Sequence, residues 1–150
     1  MTKEDRIIIA REAASAVINT LSNNDFLGVI SFSSTASTVY SSTITRATIA
    51  HKAAIIEKVG ELYPTGQTNF EDAIRLGFSM LNAATKDEYG APCLNGENIF
   101  LFLTDGEPTA GLLNSADLIS LINSYNMRIT MFTYALGSEA DTSILHDMAC

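Results

Sequence analysis

Ile99-Phe100-Leu101-Phe102-Leu103 is an unbroken apolar run. It is too short for an ordinary helix and lacks the alternation of a strand with one wet face. Such a run suits a strand covered on both sides, as in a parallel sheet held between helices. Phe26-Leu27-Gly28-Val29-Ile30-Ser31-Phe32 is nearly continuous in the same way, and the stretch from Arg128 to Leu136 reads as a third buried strand. Thr35 to Tyr40 is rich in Thr, Val and Tyr with alternation, which predicts a hairpin partner at the edge of the sheet.

Helical periods separate these runs. Residues 3–22 repeat Ile9, Ala13, Val17 and Leu21, with Ala10, Ala14 and Ile18 beside them, and Thr2 followed by Asp5 resembles a capping start. A second helix runs from about Arg46 to Glu61, with Ile49, Ala53, Ile56, Val59 and Leu62 on one side. The cleanest pattern is at 69–84, where Phe70, Ala73, Ile74, Gly77, Phe78 and Leu81 follow the helical spacing. Asn114 or Ser115 caps a helix to Tyr125 with Leu118, Ile119, Leu121 and Ile122 inward. Asp141 can cap a last one carrying Ile144, Leu145 and Met148. Buried strands alternating with helices predict an α/β fold, a doubly wound and mostly parallel sheet with helices on both faces.

Composition narrows the function. With 47% apolar and 17% charged residues, the 150-residue chain has material for a large core and is one domain or part of one. A net charge of −8 argues against a nucleic-acid backbone as partner and suits a protein that attracts cations. No run approaches the roughly 18 apolar residues of a membrane-spanning helix. Cys93 and Cys150 are too few for a disulfide scaffold and fit no zinc spacing, which leaves two unpaired thiols or bridges to residues outside the chain.

Two short motifs carry the chemistry. Pro64-Thr65-Gly66-Gln67-Thr68-Asn69 is a loop running into the best-patterned helix, and Leu103-Thr104-Asp105-Gly106-Glu107 puts a carboxylate at the end of a strand. Open α/β sheets bind ligands beyond the carboxyl ends of their strands. A Thr hydroxyl and an Asp carboxylate there suit Mg²⁺, Mn²⁺ or Ca²⁺ rather than zinc, although two oxygens are too few by themselves. Taken singly, Asp105-Gly106 reads as a turn, Thr68 or Asn69 as a helix cap, and Glu71 and Asp72 as responses to the helix dipole. His51 and His146 have no metal-spaced partner, and Asp87-Glu88 suits a solvated loop. No dinucleotide fingerprint, Walker A loop, nucleophile elbow or His-Glu-x-x-His occurs.

In this order, Asp25–Phe32, Thr65-Gly66-Gln67-Thr68-Asn69 and Phe102-Leu103-Thr104-Asp105-Gly106-Glu107 resemble the von Willebrand factor A (VWA) domain over essentially the whole chain. Arg11-Glu12-Ala13-Ala14 through Asp25-Phe26, Ile129–Gly137 with Ser138-Glu139-Ala140-Asp141, and Met148-Ala149-Cys150 look like one subgroup. That subgroup occurs in the auxiliary extracellular subunit of calcium channels and beside Cache-type sensor domains. The resemblance implies a metal-ion-dependent adhesion site (MIDAS). In it, Thr68 and Asp105 bind Mg²⁺ directly or through water, and a protein partner's acidic side chain completes the shell. It implies binding rather than catalysis, in an extracellular or membrane-associated setting.

The family's Asp-x-Ser-x-Ser loop is not found in these residues. The resemblance places that loop and a first strand ahead of the helix at residues 3–22, and a further strand after the last helix. The expectation is therefore a single VWA domain cut at both ends, binding Mg²⁺ weakly or not at all and only marginally stable. Two other functions compete with a metal-dependent binding module. One is a metal-independent interaction or scaffold VWA domain inside the cell. The other is a phosphotransfer or hydrolase domain using Asp105, which needs a second acidic cluster that the sequence does not supply.

Overall fold

The structure, a computed structural model, describes residues 3–84, 97–136 and 142–149. The proposed Thr2 start, Cys93, Cys150, Asp87-Glu88 and the Asp141 cap lie outside the described residues. The elements in chain order are α1 (Lys3–Thr20), β1 (Phe26–Leu27), β2 (Ile30–Phe32), β3 (Ala36–Thr38), β4 (Thr45–Arg46) and α2 (Ile49–Gly60). They continue as α3 (Phe70–Ala84), β5 (Ile99–Thr104), α4 (Ser115–Ser124), β6 (Thr130–Ala135) and α5 (Thr142–Ala149).

The α/β character expected from the sequence is present, and the strands form three separate pairs. β5 and β6 run parallel over Ile99–Thr104 and Thr130–Ala135. β2 is antiparallel to β3, and β1 is antiparallel to β4, a two-residue strand that the sequence pattern does not announce. The apolar run 26–32 is thus two short strands divided at Gly28-Val29. Gly28 lies against α3 there, and a Cβ would stand 2.7 Å from the terminal methyl of Met80, which would have to move. Among the described residues β2 pairs only with β3 and β5 only with β6.

Two cores cover the strands. α3 supplies Phe70, Ala73, Ile74 and Phe78 to the larger, which Phe102, Leu118, Leu121, Met131, Leu145 and Met148 complete. The smaller joins Ile18 of α1 to Ile55 and Val59 of α2, with Leu27 and Val29 against them. Leu27 and Val29 therefore face α1 and α2, while Gly28 and Phe32 face α3. That alternation puts a helix on each side of the strand. Phe32, Phe70 and Phe102 hold β2, α3 and β5 together: Phe102 lies 5.1 Å from Phe32 and 4.9 Å from Phe70, centroid to centroid.

Several inward faces differ from the expected ones. In α1, Ile9 and Val17 are exposed and Ile18 is buried, because apolar residues surround this helix and periodicity alone does not select a face. In α2, Ile49 is 78% exposed and Ile55 takes the core position, since the helix begins at its Thr48 cap and turns Ile49 outward. β5 and β6 are only partly buried, with Ile99, Phe132 and Tyr134 open to solvent. α3, α4 and α5 bury most of the residues their spacing predicts, with Met80 added on α3, while Leu81, Ile119, Ile122 and Ile144 are only partly buried.

Candidate functional site

The first turn of α3 organises the site. Asn69, not Thr68, caps the helix: its side-chain oxygen accepts from the Asp72 amide at 3.1 Å. The same side chain donates through Nδ2 to the Ser34 carbonyl at 3.1 Å, and the Asn69 amide donates to the Ser33 carbonyl at 2.9 Å. Asp72 accepts from the Ala36 amide at 2.6 Å. Glu71 accepts from the Leu112 amide at 3.1 Å and pairs with Arg75 at 2.8 Å. The dipole argument for these two acids accounted for their position and missed their task, which is to tie the loops before β3 and after β5 to one helix end.

The Thr68 loop is held on both sides. Gly66 adopts a φ of +66°, and the Gln67 amide donates to the Ser34 hydroxyl at 3.0 Å. The Thr68 amide donates to the Thr109 hydroxyl at 2.8 Å, while the Thr68 carbonyl accepts from the Thr109 and Ala110 amides at 2.8 and 3.2 Å. With Asn69 acting as the cap, the hydroxyl of half-buried Thr68 is left without a hydrogen-bond partner among the described residues.

Asp105 follows β5, which ends in buried Thr104; the Thr104 hydroxyl donates to the Gly106 carbonyl at 3.1 Å and shapes the bend. Gly106 does not require a positive φ, so the Asp-Gly pair is not a left-handed glycine turn. The Asp105 side chain, 44% exposed, faces Arg6 of α1, with Nε 3.4 Å from Oδ2. Arg6 Nη1 also donates to the Asp105 carbonyl at 3.1 Å.

Thr68, Asp105 and Arg6 are among the many residues lining one long open cleft of about 1710 Å³, which runs from α1 along β1, β2, β5 and β6. A hydroxyl without a partner among the described residues and a half-exposed carboxylate are the right kind of donors for a hard cation. Their number is not enough: no group of three or more His, Cys, Asp or Glu lies together among the described residues. His51 is used structurally, with Nδ1 against the Arg46 carbonyl at 2.9 Å, and exposed His146 lies 3.8 Å from Asp147. Sequence reasoning missed Arg6, Thr109 and Ser34. Arg6 is 99 positions from Asp105 and nothing local marks it, and Ser34 and Thr109 meet the Thr68 loop across 33 to 41 positions.

The family model for the von Willebrand factor type A domain matches residues 2–150. The chain is 26% identical over 140 residues to human inter-alpha-trypsin inhibitor heavy chain H6, covering 93% of this chain and 11% of that protein. It is 24% identical over 197 residues to the Caenorhabditis elegans voltage-dependent calcium channel unc-36, covering 97% of this chain and 15% of that one. The chain therefore spans well under a fifth of the length of either relative. Among solved structures, a von Willebrand factor type A protein from Catenulispora acidiphila superposes with a TM-score of 0.80 at 24% identity, over 95% of this chain and 32% of that one. Proximal thread matrix protein 1 from the mussel byssus, with a zinc-occupied MIDAS motif, superposes with a TM-score of 0.72 at 15% identity, over 97% of this chain and 37% of that one. At these identities the likenesses to solved structures establish the fold.

Proposed function

The chain belongs to the von Willebrand factor type A family, and from that premise we propose that it is a protein-binding module whose contact point is a divalent cation held in part by Thr68 and Asp105. The observation that carries this reading is the presence, on one cleft, of a Thr hydroxyl without a hydrogen-bond partner among the described residues and of a half-exposed carboxylate. The Asn69 cap and the Thr68–Thr109 clamp hold the first, and the end of β5 holds the second. Mg²⁺ is the cation that two such oxygens suit, with Mn²⁺ or Ca²⁺ as substitutes, because hard cations take oxygen ligands and Mg²⁺ keeps several waters. When bound, the cation supplies a positive charge for an acidic side chain of a protein ligand. This is recognition, without a chemical step. The setting that goes with it is extracellular or membrane-associated, as part of a larger protein. No helix among the described residues is long and apolar enough to cross a membrane.

A second reading is a metal-independent interaction or scaffold domain inside the cell. One observation favours it: Arg6 already compensates the charge of Asp105. Titrating the chain with Mn²⁺, with and without Thr68→Ala, separates the two. Weak binding that Thr68→Ala removes supports the cation site. Binding indifferent to Thr68, or none at millimolar Mn²⁺, leaves the metal-independent module.

A further inference from the structure

We infer that α1 is a strap across the cleft, hinged at its C-terminal end and latched at its N-terminal end by Arg6 and Asp105. The two anchors differ in kind. At the C-terminal end Ile18 is buried with Ile55 and Val59 of α2, and just past the helix the Lys52 ammonium donates to the Leu21 carbonyl at 2.6 Å. At the other end Arg6 grips the bend after β5. Its Nη1 donates to the Asp105 carbonyl at 3.1 Å, and Nε stands 3.4 Å from carboxylate Oδ2. Twelve residues of helix, roughly 18 Å, separate Arg6 from Ile18.

Between its anchors α1 lies over the cleft. Ile7, Ala10 and Ala14 line it from the helix. Leu101 and Leu103 line it from β5, because Phe100 and Phe102 point the other way, onto α3. All five cleft residues are only partly buried, and Ile8 and Ile9 are exposed. Little apolar surface therefore fastens the first half of α1, and the latch carries that load. The latch is also the weaker anchor. Nε is buried and has no aligned hydrogen-bond acceptor among the described residues, which leaves one hydrogen bond and an undirected ion pair. Asp105 is 44% exposed, so water competes for its carboxylate. Release of Arg6 lets the first half of α1 lift while Ile18 stays in place. Lifting uncovers Leu101, Leu103 and the edge of β5 away from β6, which has no strand partner among the described residues. The Arg6–Asp105 contact thus governs how far the cleft opens, and the device requires no bound ion.

Amide hydrogen exchange of the 150-residue chain, resolved residue by residue by nuclear magnetic resonance, tests this. A helical segment freed from its tertiary contacts is marginal in water, so undocking shows as faster exchange. Arg6→Gln should speed exchange at residues 8–12 about tenfold, the scale of losing one hydrogen bond to a charged group. Residues 16–20 of the same helix, and the core amides of α3, should keep their rates. An Arg6 that merely stabilised the whole fold would speed all three regions together. That result, or unchanged rates at residues 8–12, overturns the inference. Asp105→Asn keeps the carbonyl acceptor and removes the ion pair, so it should speed the same amides by a smaller factor. Should Arg6→Gln not fold, Asp105→Asn decides: a rise confined to residues 8–12 supports the latch, and unchanged or uniformly faster exchange overturns it.

Discussion

Thr68 and Thr109 are hydrogen-bonded to each other in both directions: the Thr68 amide donates to the Thr109 hydroxyl at 2.8 Å, and the Thr109 amide donates to the Thr68 carbonyl at 2.8 Å. Two loops far apart in sequence thereby become one rigid lip of the cleft. Thr109→Val keeps the shape and removes the hydroxyl acceptor. It should cost about 1 kcal/mol of stability, measured by urea denaturation. Within our reading of the site it should also weaken Mn²⁺ binding, by loosening Thr68. A variant as stable as the parent would mean that water replaces the Thr109 hydroxyl without loss.

Thr68→Ala should behave in the opposite way. Its hydroxyl has no protein partner among the described residues, so the melting temperature should barely move. A surface change away from packing costs within about 0.5 kcal/mol, while Mn²⁺ binding should be lost. A large fall in stability would show that the hydroxyl has a structural task.

Asn69 does three jobs at once, capping α3, holding the Ser34 carbonyl and fixing the 33–34 loop through its amide. Asn69→Ala removes the first two and should cost about 1–2 kcal/mol, the usual loss for a helix cap. Asn69→Asp keeps an oxygen for the Asp72 amide and loses the donor to Ser34, so its stability should fall between the two. Thermal unfolding of all three chains checks the order.

Gly77 lies where α3 crosses β5, and a Cβ there would overlap the ring of Phe100. That ring is stacked between Phe78 at 5.8 Å and Phe102 at 6.3 Å, so it has little freedom to yield. Overpacking costs about 1–3 kcal/mol, against about 1 kcal/mol gained when alanine replaces a helical glycine. Gly77→Ala should therefore be neutral to destabilising. A clear rise in melting temperature would show that α3 shifts freely on the strand.

The Asp25 carboxylate is held below the ordinary carboxylate range, first by the Ser22 backbone amide, then by the Ser22 hydroxyl, with the charge of Lys52 adding a little. Because its pKa is lower folded than unfolded, its stabilising effect is present above the unfolded value. That effect is lost as pH falls through the folded one. Asp25→Asn should lower the melting temperature at neutral pH, and the gap to the parent should close in strong acid. A gap that persists at low pH would point to hydrogen bonding independent of the charge.

How much was legible varied from element to element, for local reasons. α3 was readable because Phe70, Ala73, Ile74, Gly77 and Phe78 sit on one stripe and all five are buried. α4 was readable because Asn114 caps it and Leu118 and Leu121 point inward. α1 was readable as a helix but not in orientation, because its apolar residues do not form a stripe, and only contact with Ile55 and Val59 of α2 selects Ile18. The break at Gly28, which lies against Met80, and the pairing of β1 with β4 involve segments distant in sequence, which no short window contains.

The sequence by itself determined the kinds of element, the α/β class and the two site loops, because periodicity, caps and glycine-bearing turns act over a few residues. The tertiary structure alone decided that Asn69 rather than Thr68 closes the helix, leaving the Thr68 hydroxyl without a hydrogen-bond partner among the described residues. It also decided that Arg6 meets Asp105 across 99 positions. Both depend on which loops and faces come together in the folded chain, and contacts at that sequence separation leave no local pattern to read.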